Sequence, residues 1–231
     1  MDKLWSLSEI DIFQDLSEEE LKIIADRAPM QTVTTGTVFF SPDERTEVLF
    51  ILKSGRVRIF RLSAEGKAFT TAIVSAGTIF GEMTLVGQHM HDNFAEALDS
   101  CVICLMSNED VRRLLLSDPR IAARIAETLG RRLIDMEQRL SDFAFKSVPQ
   151  RVAGTLLTIA RSDQSRQVWP FGKQRTEVRV THEQLAEFVG TYRETVTKIL
   201  NELRDQGLIE LRRGKIALLD TTALAAVAAE E

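Results

Sequence analysis

The chain has 231 residues, 44% of them hydrophobic and 27% charged, which sets it apart from disordered and fibrous sequences. No apolar run is long enough to span a bilayer, and Met1-Asp2-Lys3-Leu4-Trp5 lacks the basic start of a signal peptide, so a cytoplasmic protein with no membrane partner is expected. The net charge of −5 is unevenly spread: residues 1–146 carry 17 Lys+Arg against 23 Asp+Glu, and residues 147–231 carry 12 against 11. This leaves room for a focused basic face in the C-terminal part.

Residues 8–28 read as a short helix in which Ser17 and Glu20, three apart, form a capping box, and Pro29 closes it. From about Thr32 the texture changes to short β-rich runs: Val38 to Phe40, Val48 to Leu52, Val57 to Phe60, Phe69 to Val74, Ile79-Phe80 and Cys101 to Met106. Lys53-Ser54-Gly55 and Ala64-Glu65-Gly66-Lys67 read as hairpin turns. Strands at this spacing predict a small antiparallel barrel or jelly roll. Cys101 and Cys104 form a C-x-x-C within one such run; three apart on a strand they point to opposite faces, as packing cysteines do, and a zinc site would need more ligands.

Near Asn108 the period switches to that of a helix, with Asn108 as its cap and Glu109 and Asp110 in the first turn. After Pro119 a helix of about 25 residues carries Ala122, Ala126, Leu129, Leu133, Met136, Leu140 and Phe143 at alternating steps of four and three. That spacing is the seam of a two-stranded coiled coil, and it predicts a homodimer; packing of the helix on its own barrel is compatible with it. Phe143 to Lys146 reads as a hinge, Ser147-Val148-Pro149 opens a helix to about Arg161, and Ser162 to Lys173 reads as a loop. The chain thus divides into 1–107, a β-barrel, 108–146, dimerisation helices and hinge, and 147–231, a second domain; the motif and the resemblance described next make the first a sensor domain and the last a DNA-binding domain.

Thr181-His182-Glu183-Gln184 is a second capping box, opening a helix that Gly190 ends; Thr191 then reads as the cap of the next, from Tyr192 to about Gln206. With His182 as position one, a small residue (Ala186) falls at five, glycine at nine and an aliphatic (Val196) at fifteen. This is the spacing of a helix-turn-helix, whose two helices cross closely. The start of the second helix would enter the major groove of double-stranded DNA. Thr181, Thr191, Tyr192, Arg193, Glu194, Thr195, Thr197 and Lys198 are the candidate DNA-facing residues. Arg193 and Lys198 can donate to guanine and Glu194 can accept from cytosine, unless Glu194 and Lys198 simply pair with each other. Leu208 to Leu211 and Ile216 to Leu219 read as a hairpin wing whose tip, with Arg212 and Arg213, would lie near phosphates. No nucleophile–base pair, phosphate-binding loop or metal cluster stands out, so no catalytic or metal-ligating residue is assigned and the chain is not read as an enzyme.

On Phe50 to Val57, Gly77 to Met83, Val148 to Ala153 and above all Arg193 to Leu200, the sequence resembles the Crp/Fnr family of bacterial transcription regulators. The resemblance covers nearly the whole chain. It implies an α+β fold, with a cyclic-nucleotide-binding-type β jelly roll or barrel, a long coiled-coil dimerisation helix and a C-terminal winged helix-turn-helix. It also implies a palindromic DNA site with TGTGA-like half-sites, read by Arg193, Glu194 and Lys198, and RNA polymerase as a partner. In cyclic-AMP-binding members the pair matched by Gly81-Glu82, followed here by Met83, holds the ribose, and an Arg with a hydroxyl residue grips the phosphate. Here His91 and Asp92 stand in that place, and a carboxylate repels a phosphate, so the effector is expected not to be cyclic AMP. An iron–sulfur cluster would need four thiolates, where the chain has two cysteines. Haem would need His89, His91 or Cys101 as axial ligand, and the cofactor stays unassigned. Two other readings stay open: a cyclic-AMP-dependent regulator, and an effector-binding module whose C-terminal domain docks protein rather than DNA.

Overall fold

The computed structural model describes residues 10, 13, 16–42, 48–81, 90, 92–162 and 176–229. The chain forms two compact units, Met1–Ile134 and Asp135–Glu231. In the first unit, helix α1 (Glu18–Arg27) starts on a capping box, with the Ser17 hydroxyl accepting from the Glu20 N–H and the Glu20 carboxylate accepting from the Ser17 N–H. The Ser17 cap starts this helix at Glu18; most of the stretch 8–15, read as part of it, lies outside the described residues.

Eight strands follow: β1 (Met30–Val33), β2 (Val38–Phe40), β3 (Val48–Ser54), β4 (Arg56–Leu62), β5 (Ala68–Ser75), β6 (Thr78–Gly81), β7 (Phe94–Ala97) and β8 (Cys101–Ser107). They pair antiparallel into two four-stranded sheets, in the orders β1-β8-β3-β6 and β2-β7-β4-β5. The sheet containing β3 is covered on both faces, which accounts for the unbroken apolar run from Leu49 to Leu52. Phe50, Leu52, Phe80, Cys101 and Ile103 pack with Val57, Ile59, Val74 and Ala95 of the other sheet. Leu49, Ile51, Ile79, Cys104 and Met106 instead pack with Leu21, Ile24, Val111, Ile121 and Ile125 of the helices. Cys101 and Cys104 therefore lie in different cores on opposite faces of β8, both free thiols and both buried. Phe39, Phe40, Phe50 and Phe80 form an aromatic cluster, with the Phe50 and Phe80 rings stacked at 5.0 Å.

Two expected turns differ in kind. Residues 63–67 close the β4–β5 hairpin, with Ser63 accepting at its carbonyl from the Gly66 N–H. Lys53-Ser54-Gly55 makes no hairpin, because β3 and β4 belong to different sheets; it is a corner at which the chain changes sheet. Gly55 sits there at φ +87°, where an added Cβ would stand 2.6 Å from the Cys101 sulfur and 2.7 Å from the Ser100 carbonyl oxygen. The corner thus requires glycine on two counts, left-handed backbone and close approach.

Helix α2 (Asn108–Ser117) is capped by Ser107, whose hydroxyl accepts from the Asp110 N–H at 3.2 Å, so Asn108 is its first residue and not its cap. Helix α3 (Pro119–Phe145) runs for 27 residues, through the whole stretch read as a hinge except Lys146. In the second unit, α4 (Val148–Ser162) buries Val152, Ala153, Leu156 and Ile159. The stretch from 163 to 173, read as a loop, lies outside the described residues. Then come β9 (Thr176–Val178), α5 (His182–Val189), α6 (Arg193–Asp205), β10 (Ile209–Arg212), β11 (Lys215–Leu218) and α7 (Thr221–Ala229), the last packed on α4. The three strands pair in the order β10-β11-β9, giving the wing a third strand that the sequence reading did not foresee.

Candidate nucleic-acid interface

Helix α5 begins where Thr181 and Gln184 satisfy each other: the Thr181 hydroxyl accepts from the Gln184 N–H at 3.1 Å, and the Gln184 side chain accepts from the Thr181 N–H at 2.9 Å. Gly190 ends it at φ +69°, ψ +44°, a left-handed cap that side-chain-bearing residues rarely adopt. Leu185, Ala186, Val189, Val196, Ile199, Leu200 and Leu203 close the core between α5 and α6. Ala186 at position five and Val196 at position fifteen are both fully buried, as the close helix crossing demands.

The cap of α6 is Tyr192, with extended backbone and no side-chain cap bond, and not Thr191. The Thr191 N–H instead donates to the Ala186 carbonyl and helps close the turn. Tyr192 is 66% exposed. Arg193, Glu194 and Lys198 are exposed, while Thr191, Thr195 and Thr197 are half-buried. One open groove along α6 is lined by Arg193, Glu194, Thr197, Lys198, Asn201, Glu202 and Asp205. Lys198 lies 3.9 Å from Glu202 rather than pairing with Glu194, so the Glu194–Lys198 ion pair considered from sequence is not formed. Asn201 and Glu202 on this face were missed by the sequence reading, although both follow Lys198 by a turn or less of helix.

His182, which the sequence marks only as a helix residue, bridges the two helices: its Nδ1 lies 2.9 Å from the Thr197 hydroxyl of α6. Burial, and then the positive charge of Arg193, hold its pKa below the ordinary imidazole value. At the far end of α5, Arg139 donates to the Phe188 carbonyl at 3.2 Å and Arg151 to the Val189 carbonyl at 3.3 Å. These are cations on the negative end of a helix dipole, and Arg139 also lies 4.1 Å from the centre of the Phe188 ring.

In the wing, Arg213 and Gly214 form the exposed turn between β10 and β11, with Gly214 at φ +71°. Arg212, expected on phosphate, is engaged within the wing, bound to Glu177 of β9 at 2.9 Å and to Glu210 at 3.1 Å. The Glu210 hydrogen bonds first, and then its charge, raise the Arg212 pKa. Lys215 shares Glu177 at 3.2 Å.

The effector residues read from sequence are only partly visible. Glu82, Met83 and His91, with His89, lie outside the described residues. Gly81 ends β6 at φ +110°, opposite Leu49, where an added Cβ would stand 2.5 Å from the Val48 carbonyl oxygen. It serves the sheet's geometry, whatever else it does. Asp92 is exposed, at φ +63° just before β7. The arginines of the neighbouring strands bind carboxylates, Arg56 to Asp99 at 2.7 Å and Arg58 to Glu96 at 2.7 Å. Cys101 shares its one S–H between the Asp99 and Arg56 carbonyls, and burial pushes its pKa up. Among the described residues no group of three or more His, Cys, Asp or Glu could hold a metal ion.

The seven seam residues of α3 divide. Ala122 and Leu129 lean on the first unit's core beside the buried Ile121, Ile125 and Thr128, and Ala126 is exposed. Leu133, Met136 and Leu140 are 58%, 63% and 71% exposed. Phe143 is half-buried, with the Arg151 guanidinium 4.9 Å from its ring centre.

A helix-turn-helix with an exposed, polar second helix and a three-stranded wing, preceded by a β-sandwich, defines a DNA-binding regulator with a sensor-type domain. Residues 30–118 match the cyclic nucleotide-binding domain, and residues 150–227 the Crp-like helix-turn-helix domain. The cyclic AMP receptor protein of Thermus thermophilus is 27% identical over 217 residues, covering 94% of this chain and 96% of that protein. The cAMP-activated global transcriptional regulator CRP of Pasteurella multocida is 31% identical over 179 residues, 77% of this chain and 84% of that one. The crystal structure of a CRP/FNR family transcriptional regulator from Thermus thermophilus superimposes with a TM-score of 0.70 at 29% identity, covering 87% of this chain and 98% of that one. The chain belongs to the CRP/FNR family of transcription regulators. Among the described residues no helix is long and apolar enough to cross a membrane.

Proposed function

We propose that this regulator works in the cytoplasm as a homodimer on a palindromic DNA site, with half-sites related to TGTGA and without cyclic AMP as its effector. The observation that carries the reading is the open groove along α6, at whose N-terminal half Arg193, Glu194 and Lys198 stand exposed on one helix. Arg193 reaches guanine or phosphate, Glu194 accepts from a cytosine amino group, and Lys198 reaches guanine as a point charge rather than as a fork. Thr181, Thr191, Tyr192 and Thr195 flank the readers, and Thr197 lies among them. Arg213 at the wing tip meets phosphate, and Arg212 positions the wing through Glu177 and adds to its positive field.

Dimerisation through α3 would cover Leu133, Met136 and Leu140, large apolar side chains left in water by the single chain. RNA polymerase is the partner through which a bound dimer would act on transcription, as the family resemblance implies. The case against cyclic AMP rests on the sequence His91-Asp92, where the resemblance calls for an Arg and a hydroxyl residue: an imidazole replaces the guanidinium, and a carboxylate beside it repels a phosphate. The printed names of the relatives favour a second reading, cyclic-AMP control. Calorimetry with cyclic AMP on the full-length protein separates the two: absence of binding at micromolar nucleotide is expected, and micromolar or tighter binding restores the second reading. For DNA, anisotropy titrations of the wild type and Glu194→Ala against palindromic duplexes varied one base pair at a time test the readers. Loss of discrimination at one base pair is expected; uniform weakening at all of them overturns the assignment.

A further inference from the structure

Thr197 lines the groove of α6, and the partner of its hydroxyl is the imidazole of His182, reaching across from the first turn of α5. A threonine hydroxyl has one hydrogen to give and lone pairs to offer, so what it shows to DNA depends on what its partner takes. With the ring neutral and its proton on Nε2, Nδ1 accepts the Thr197 hydrogen, and the oxygen faces the groove as an acceptor. When Nδ1 takes a proton from solvent, it must donate to the Thr197 oxygen, and the hydroxyl hydrogen turns outward as a donor. We infer that His182 is a positioning residue for base choice, setting through Thr197 whether the groove presents an acceptor or a donor at one base position.

The two states read different bases. An acceptor suits the amino groups of adenine or cytosine, and a donor suits the oxygens of guanine or thymine, or a purine N7. The surroundings bias the switch in a defined sense. Burial and the Arg193 guanidinium of α6 favour the neutral ring in the free protein, and Glu183, next on α5, is exposed. DNA phosphates would act the other way, since negative charge favours the protonated ring. The inference rests on the proposed DNA-reading role of α6.

The test uses full-length protein and duplexes carrying each of the four base pairs at every half-site position, at fixed salt, at about pH 5.5 and about pH 8. Ratios between duplexes cancel any uniform gain in affinity from protonation. At the high pH the wild type should favour adenine or cytosine at one position, and at the low pH shift toward guanine or thymine by about fivefold or more, within the range of a single base contact. Thr197→Val should flatten that position at both pH values. His182→Gln, which keeps a hydrogen-bonding side chain without titrating, should hold one preference at both. A wild-type preference that does not change with pH, or a change that persists in either variant, overturns the inference while leaving DNA reading intact. Failure to bind any duplex overturns both.

Discussion

The sandwich and the helix-turn-helix handle their chemistry in opposite ways. In the sandwich, phenylalanines and both cysteines are drawn into two cores on either side of one sheet, and Arg56 and Arg58 are tied to carboxylates. In the C-terminal unit, the apolar residues of α5 and α6 close a small core and leave Tyr192, Arg193, Glu194 and Lys198 in water. Substitutions in the first region should therefore be felt as stability, and substitutions on α6 as binding.

Helix α3 repeats the contrast along its length: Ala122, Ile125 and Leu129 are spent on the first unit's core, while Leu133, Met136 and Leu140 are exposed. Leu140→Glu should break the contrast hardest if the exposed half is a dimer seam. A dimeric protein would become monomeric by sedimentation, and affinity for a palindrome would fall about a hundredfold or more as the linked second contact is lost. Phe80→Ala, which removes a ring in contact with Phe39 and Phe50, should lower unfolding free energy by about 3–5 kcal/mol in denaturant titrations. The folded fraction of that variant should keep its base preference. Glu194→Ala should do the reverse, leaving stability within about 0.5 kcal/mol and costing about 1–3 kcal/mol of discrimination at one base pair. Arg213→Ala should have the smallest effect, a few-fold loss on all sequences with the salt slope reduced by about one. If Phe80→Ala changed base choice, or Glu194→Ala mainly changed stability, the division between the two regions would be wrong.

Legibility in the sequence followed the range of the interactions. The capping boxes at Ser17 and Thr181 and the left-handed Gly190 are set by neighbours within four residues, so they could be read directly. Strands β1, β7 and β9 carry no apolar run like Val38-Phe39-Phe40 of the equally short β2 and owe their existence to distant partners, as in Met30 opposite Cys104, so they were missed. Gly55 carries the same local signal in a hairpin as in a corner between sheets, and only the pairing of β3 and β4 with other strands distinguishes them. Thr191 has the chemistry of a cap, but the turn after Gly190 places Tyr192 at that position. On α6, the helix period alone puts Arg193, Glu194 and Lys198 on one face, and the structure leaves all three exposed there. The His182–Thr197 contact could not be read, since it depends on how two helices cross.

Selection of bound duplexes from a random pool by the full chain tests most directly whether a symmetric pair of α6 helices reads DNA. The predicted result is an inverted repeat whose half-sites lie about one helical turn apart, centre to centre. Enrichment of a single unrepeated half-site, or of no sequence at all, would contradict it.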